Sequence, residues 1–169
     1  MGSDAEASRT AMTSAPSSSR NDPVPWLSDE QQRVWRLWVQ ASHRIQTYLD
    51  EQLHLDGLDL AEYEVLVCLS EAPGRRMRMS VLAHHSRQSR SRLTHTISRM
   101  EKAGLVLRTA DPHDRRGVVA NLTDDGIDLI DRAAPSHVRA VRRVLVDVAD
   151  PTDLAALGRV MQAVTEVEL

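Results

Sequence analysis

The stretch from Ser89 to Gly117 constrains the fold most tightly, because two periodicities meet inside it. Leu93, Ile97 and Met100 recur at helical steps and form one stripe, with Ser89 placed to start the helix and Gly104 to stop it. "LVLRTA" (105–110) and "GVVANL" (117–122) then read as two short strands. Asp111, Pro112 and Gly117 make the intervening segment a turn-forming hairpin tip. Just upstream, "SVLAHHS" gives a short helix that Ser80 can start. Two helices joined by a tight turn and followed at once by a hairpin read as a helix-turn-helix with a two-stranded wing.

The flanks are helical. "LSDEQQRVWRLWVQASHRIQTYLDEQL" opens with a capping pair, Ser28 and Gln31, and carries Val34, Trp38, Ala41, Ile45, Tyr48 and Leu49 at steps of three and four. After "GLDL", Asp59 and Glu62 cap a second helix through "VLVCL" that ends before Ala72-Pro73-Gly74. Thr123 caps a long helix with Ile127, Ile130, Ala134, Val138, Val141, Leu145 and Val148 in register, and Pro135 is expected to kink it. Asp150-Pro151 starts a last helix with Leu154, Leu157, Met161 and Val164 as its stripe. Residues 1–25 are rich in Ser, Ala and Pro and read as a disordered tail. The expected fold is mainly α, an α+β winged helix. Residues 26–169 form one domain, with the winged helix-turn-helix at about 58–122 and dimerisation helices at about 28–55 and 123–167. The terminal stripes have no sheet to cover them, and two symmetric copies would bury them against each other.

Charge then narrows the partner. Between Arg75 and Arg116 lie ten Arg and one Lys against Glu101, Asp111 and Asp114, a net +8 inside a chain of net −3. A basic island on an acidic body points to one surface for a polyanion. At 100° per residue from the Leu93 stripe, Ser91, His95, Ser98 and Lys102 point away from the core, with Arg90, Arg92, Thr94 and Arg99 on the flanks. Such a face suits the major groove, where Arg grips guanine and Ser or Thr reaches bases or phosphates. Ser89 lies at the helix N-terminus, which favours a phosphate. Arg115 and Arg116 ride on the hairpin, whose shape suits a minor groove.

These residues resemble the MarR family of winged-helix transcriptional regulators. The likeness rests on "LAHHSRQSRSRLTHTISRMEKAGLVLRTADPHDRRGVVANLTDDG": Leu-Ala before the turn, Ser-x-Ser-x-Leu-Thr, Glu-x-x-Gly-Leu-Val-x-Arg, Asp-x-Arg at the wing and Leu-Thr-x-x-Gly after it. It extends over roughly residues 28–167. The resemblance implies a two-fold dimer that grips double-stranded palindromic DNA, with Arg116 entering the minor groove and Asp114 either bracing it or a nearby Arg, or simply forming the turn. It also implies a small-molecule effector, phenolic or anionic, held between the dimer helices and the winged domain. From the first helix, His43, Arg44 and Tyr48 would face that cleft, with an Arg-His pair suited to a carboxylate or phenolate.

Other classes fare less well. Seven His invite a metal-responsive reading, yet no His/Cys cluster has ligand spacing, and the adjacent His84 and His85 point about 100° apart on a helix. A redox-responsive reading would need Cys68, which sits in an apolar run where a thiol stays protonated. An architectural, non-selective DNA binder shares the basic island. No nucleophile motif or phosphate loop supports an enzyme, and no cofactor is called for. The lone Cys and the lack of an apolar signal core fit a cytoplasmic protein without a membrane span.

Overall fold

A computed structural model describes residues 24–112 and 114–168, except for the side chains of Arg115 and Arg116. The tail read over residues 1–25 falls almost wholly outside them. Two compact units divide the chain between Arg36 and Leu37.

Helix α1 (Asp29–His54) begins in the first unit and ends in the second. Its start carries the reciprocal cap expected: Gln31 N donates to Ser28 Oγ at 3.3 Å, and Ser28 N donates to Gln31 Oε1 at 2.9 Å. In the second unit, α2 (Leu60–Glu71) is capped in the same way by Asp59 and Glu62. Asp50 of α1 accepts from Leu60 N at 2.8 Å, fixing the corner between the two helices. Then follow β1 (Arg76–Arg78), α3 (Met79–His85), α4 (Arg90–Lys102), β2 (Val106–Asp111), β3 (Asp114–Leu122), α5 (Asp124–Val141) and α6 (Pro151–Thr165). The core is built on Leu53, Leu58, Val65, Leu66, Leu69, Leu82, Leu93, Ile97, Met100 and Val106, all with side chains out of water. With no Phe in the chain, branched aliphatics and Met fill it.

The structure corrects the sequence reading in several places. The β2–β3 hairpin forms the wing as expected, but its sheet has a third strand: β1 pairs antiparallel with β3, giving the order β1-β3-β2. A three-residue strand rich in Arg shows too little alternation to be seen in sequence. Helix α3 starts at Met79 with Arg78 as its cap residue, so Ser80 lies inside the first turn. The hairpin is tighter than expected, because β3 begins at Asp114 and pairs it with Asp111; Arg115 and Arg116 are strand residues. Helix α5 stays α-helical through Pro135, and the departure comes later, in a π-helical turn at Arg142–Val146. Its buried face is Gly126, Ile130, Ala133 and Ala140, and Val138 is exposed.

Two of the motifs acquire a physical reason. Gly104 takes φ +78°, the left-handed conformation that glycine adopts without penalty, while Leu105 N returns to Met100 O at 2.9 Å. Across that turn, Arg108 Nη2 meets Glu101 Oε2 at 2.6 Å and Arg108 N donates to Glu101 Oε1 at 3.1 Å. The Glu-x-x-Gly-Leu-Val-x-Arg pattern is therefore a clasp holding β2 against α4.

Candidate nucleic-acid interface

Helix α4 is positioned by its buried side. Ser89 caps it, its Oγ accepting from Arg92 N at 3.2 Å. Leu93, Thr96, Ile97 and Met100 are buried. Gln88, itself buried, pins the preceding turn: its Nε2 donates to Ala61 O at 3.1 Å and its Oε1 accepts from Thr96 Oγ1 at 3.0 Å. Arg87 adopts φ +52° to make that turn. Thus "HHSRQ" works as a buried-glutamine hinge between α3 and α4, with His84 and His85 exposed.

On the other side, Arg90, Ser91, Arg92, Thr94 and His95 are exposed around the N-terminal half of the helix. Thr94 Oγ1 donates to Arg90 O at 2.8 Å, which leaves its lone pairs outward. Arg92 borders the side facing α2, where its charge and that of Arg87 offset the upward push that burial gives Glu64. Ser98 is half-buried rather than fully outward.

Arg99 has partners that helical phase does not show. Its guanidinium turns back to Asp59 Oδ2 at 2.6 Å and Glu62 Oε1 at 3.1 Å. These two carboxylates at the start of α2 tie α4 to α2, while the Arg99 side chain stays 59% exposed. Helical phase alone placed it on the flank; its partners lie 37 and 40 residues earlier.

The wing is braced near its tip. Arg78 Nε pairs with the Asp111 carboxylate, which is only 4% exposed. Gly117 lies against the same residue: a Cβ there would stand 2.9 Å from Asp111 Cβ and 3.2 Å from Asp114 O, so a glycine is required for space. Asp114 is engaged in a contact of its own.

The residues read as an effector site are placed separately. His43 and Arg44 are exposed on α1, with His43 Nδ1 3.4 Å from Thr47 Oγ1. Tyr48 is half-buried, and the Arg143 guanidinium lies 5.9 Å from its ring centre. None of the three lines a described cavity. A mostly apolar cavity of about 400 Å³ lies instead among Leu49, Tyr63, Val67, Cys68, His85 and His137. The His137 ring packs against Tyr63 with ring centres 4.3 Å apart and planes tilted by 38°, and its Nδ1 is buried without a hydrogen-bond partner. Burial pushes the His137 pKa down and that of Tyr63 up. Burial, reinforced by Glu64 and Glu71, also pushes the Cys68 thiol up. Sequence reading missed His137, although it falls one turn beyond Ala133 on the buried face of α5. Among the described residues, no three His, Cys, Asp or Glu side chains come together as a metal ion would require. Nor, among them, is any helix long and apolar enough to cross a membrane.

The MarR family model matches residues 58–118. The chain is 43% identical to Sco3205, a MarR family transcriptional regulator from Streptomyces coelicolor solved in complex with DNA, over 86% of this chain and 92% of that one, with a TM-score of 0.82. It is 42% identical to AbsC, another MarR family regulator from Streptomyces coelicolor, over 85% and 97%, with a TM-score of 0.80. It is also 29% identical to the homoprotocatechuate degradative operon repressor of Escherichia coli, over 63% of this chain and 70% of that protein.

Proposed function

The chain belongs to the MarR family of DNA-binding transcriptional regulators and is not an enzyme, and we propose that it acts as a homodimeric repressor of a palindromic operator, released by a small phenolic or anionic ligand. The observation that carries this reading is the two-sided recognition helix. Leu93, Thr96, Ile97 and Met100 fix α4 from within, and Arg90, Ser91, Arg92, Thr94 and His95 stand outward in an island of net +8. Arg and Ser or Thr on an exposed helix can read base edges or hold phosphates. Ser89 and the wing's Arg115 and Arg116 complete the contact set, with Asp114 as wing support.

The dimer is supported by apolar side chains that a lone chain leaves in water. Val34, Trp35, Leu37, Trp38 and Val39 are exposed on α1, as are Val160 and Val164 on α6. Exposed apolar surface on this scale marks an interaction site, and a symmetric partner buries it in both copies at once. On this view the winged region at about 58–122 reads DNA, while the helices at about 28–55 and 123–167 join the copies. Repression accords with the Escherichia coli relative, a degradative operon repressor.

Two places compete for the effector. His43, Arg44 and Tyr48 offer an anion-binding pair beside an aromatic ring. The cavity at His137 offers apolar walls and one buried nitrogen awaiting a partner, and that nitrogen favours the cavity. Selection from a random-sequence DNA pool tests the function: an inverted repeat is expected, and a lone half-site or no enrichment would refute it. Release of the selected DNA by phenols and aromatic acids, repeated with Arg44→Ala and His137→Phe, assigns the site to whichever variant no longer responds.

A further inference from the structure

One cation on the DNA side belongs neither to the recognition helix nor to the wing. Arg78 ends β1, a strand that sequence reading did not find. Its Nε is held by the buried Asp111 carboxylate, yet its side chain is 47% exposed. A guanidinium gripped at Nε keeps Nη donors for a second anion. Arg78 also lines a cleft of about 360 Å³ between α4 and the wing, together with Arg90, Thr94, Ser80 and Gly117.

The location decides what that cleft is for. A helix in the major groove and a wing in the adjacent minor groove are divided by one sugar–phosphate strand. That strand must pass between α4 and the wing, where Arg78 and Arg90 stand. We propose that the cleft is a phosphate seat and that Arg78, braced by Asp111, is a DNA-backbone contact that sets the spacing between the recognition helix and the wing. Phosphate contacts of this kind fix register and carry no base information. Asp111 holds the fork in one orientation, so little side-chain freedom remains to be lost on binding. The acidic Asp114 on the same wall is occupied by a contact of its own.

The inference rests on the DNA-bound dimer proposed above, and its test separates the two. Full-length protein, Arg78→Gln and Arg78→Lys are titrated by fluorescence anisotropy against operator and scrambled duplexes over a salt series. Each phosphate contact contributes about 0.9 to the slope of log affinity against log salt, so one contact per subunit contributes about 1.8. Wild type should therefore lose about 12-fold more affinity than Arg78→Gln between roughly 50 and 200 mM salt. The operator-to-scrambled ratio should not move, and Arg78→Lys should restore the slope. Weaker binding by both variants with an unchanged slope would reduce Arg78 to a brace for the wing and overturn the proposal. So would wild-type behaviour of Arg78→Gln. Absence of selective, salt-dependent binding by wild type would instead refute the DNA reading itself. A second measurement needs no variant fold: single methylphosphonate substitutions along the strand between the grooves should reveal, in wild type, one phosphate per half-site whose neutralisation weakens binding. That penalty should persist in Arg78→Lys and vanish in Arg78→Gln; no such phosphate overturns the proposal.

Discussion

Replacing Gly126 with alanine sets two effects of opposite sign against each other. Gly126 lies in the first turn of α5 and has no left-handed backbone to protect. By helix propensity alone, alanine should stabilise by about 1 kcal/mol. The added Cβ, however, would stand 2.5 Å from Leu105 O and 2.5 Å from Leu122 Cδ1. The leucine methyl can swing aside. The carbonyl cannot, because it accepts from Thr123 N at 3.1 Å and lies 2.9 Å from Thr123 Oγ1, the same hydroxyl that caps Gly126 N at 3.1 Å. Relief would move the Gly104 turn or the helix cap. Overpacking of this kind costs up to about 3 kcal/mol, so we expect a net loss of about 2 kcal/mol. For a chain of this size that lowers the thermal midpoint by ~4–8 °C. Calorimetry at fixed protein concentration, with urea unfolding to confirm an unchanged slope, measures it. A Gly126→Ala protein as stable as wild type would refute the claim that close approach dictates this glycine.

Further expectations follow from other contacts. Arg99→Ala should cost about 0.5–1 kcal/mol in urea unfolding, since its partners are only partly shielded, and should leave the salt slope of DNA binding intact; a shallower slope would return Arg99 to the DNA face. The depressed pKa of His137 means that the unfolded chain takes up protons before the folded one, so stability should fall as pH drops below its ordinary 6.5. His137→Phe keeps the ring packing against Tyr63 and should flatten that fall; an unchanged pH profile of the thermal midpoint would contradict it. Cys68 should react with iodoacetamide about tenfold or more slowly in the native protein than in urea, and comparable rates would reopen the redox reading.

What the sequence made legible was local. Caps at Ser28, Asp59, Ser89 and Thr123 announce themselves because the accepting side chain and the donating amide are three residues apart. The stripe Leu93, Ile97, Met100 fixed which side of α4 meets the core, and so which residues face out. What stayed hidden depended on partners distant in the chain. Arg99 is diverted by Asp59 and Glu62, and Arg78 is recruited by Asp111 from beyond the helix-turn-helix. Strand β1 exists only because β3 is long enough to offer it an edge. The apolar stripe of α5 drifted by about one residue because Gly126 and Ala133, small rather than hydrophobic, make its closest approach.

The central claim is that the basic island of an otherwise acidic chain is a sequence-selective DNA grip. Fluorescence anisotropy on the DNA upstream of its own gene, with scrambled DNA as control and Arg116→Ala beside wild type, tests it most directly. We expect binding that prefers the upstream DNA, weakens steeply with salt and weakens again without Arg116. Equal binding to both DNAs would make the protein a non-selective architectural binder, and no binding to either would mean that the island serves another partner.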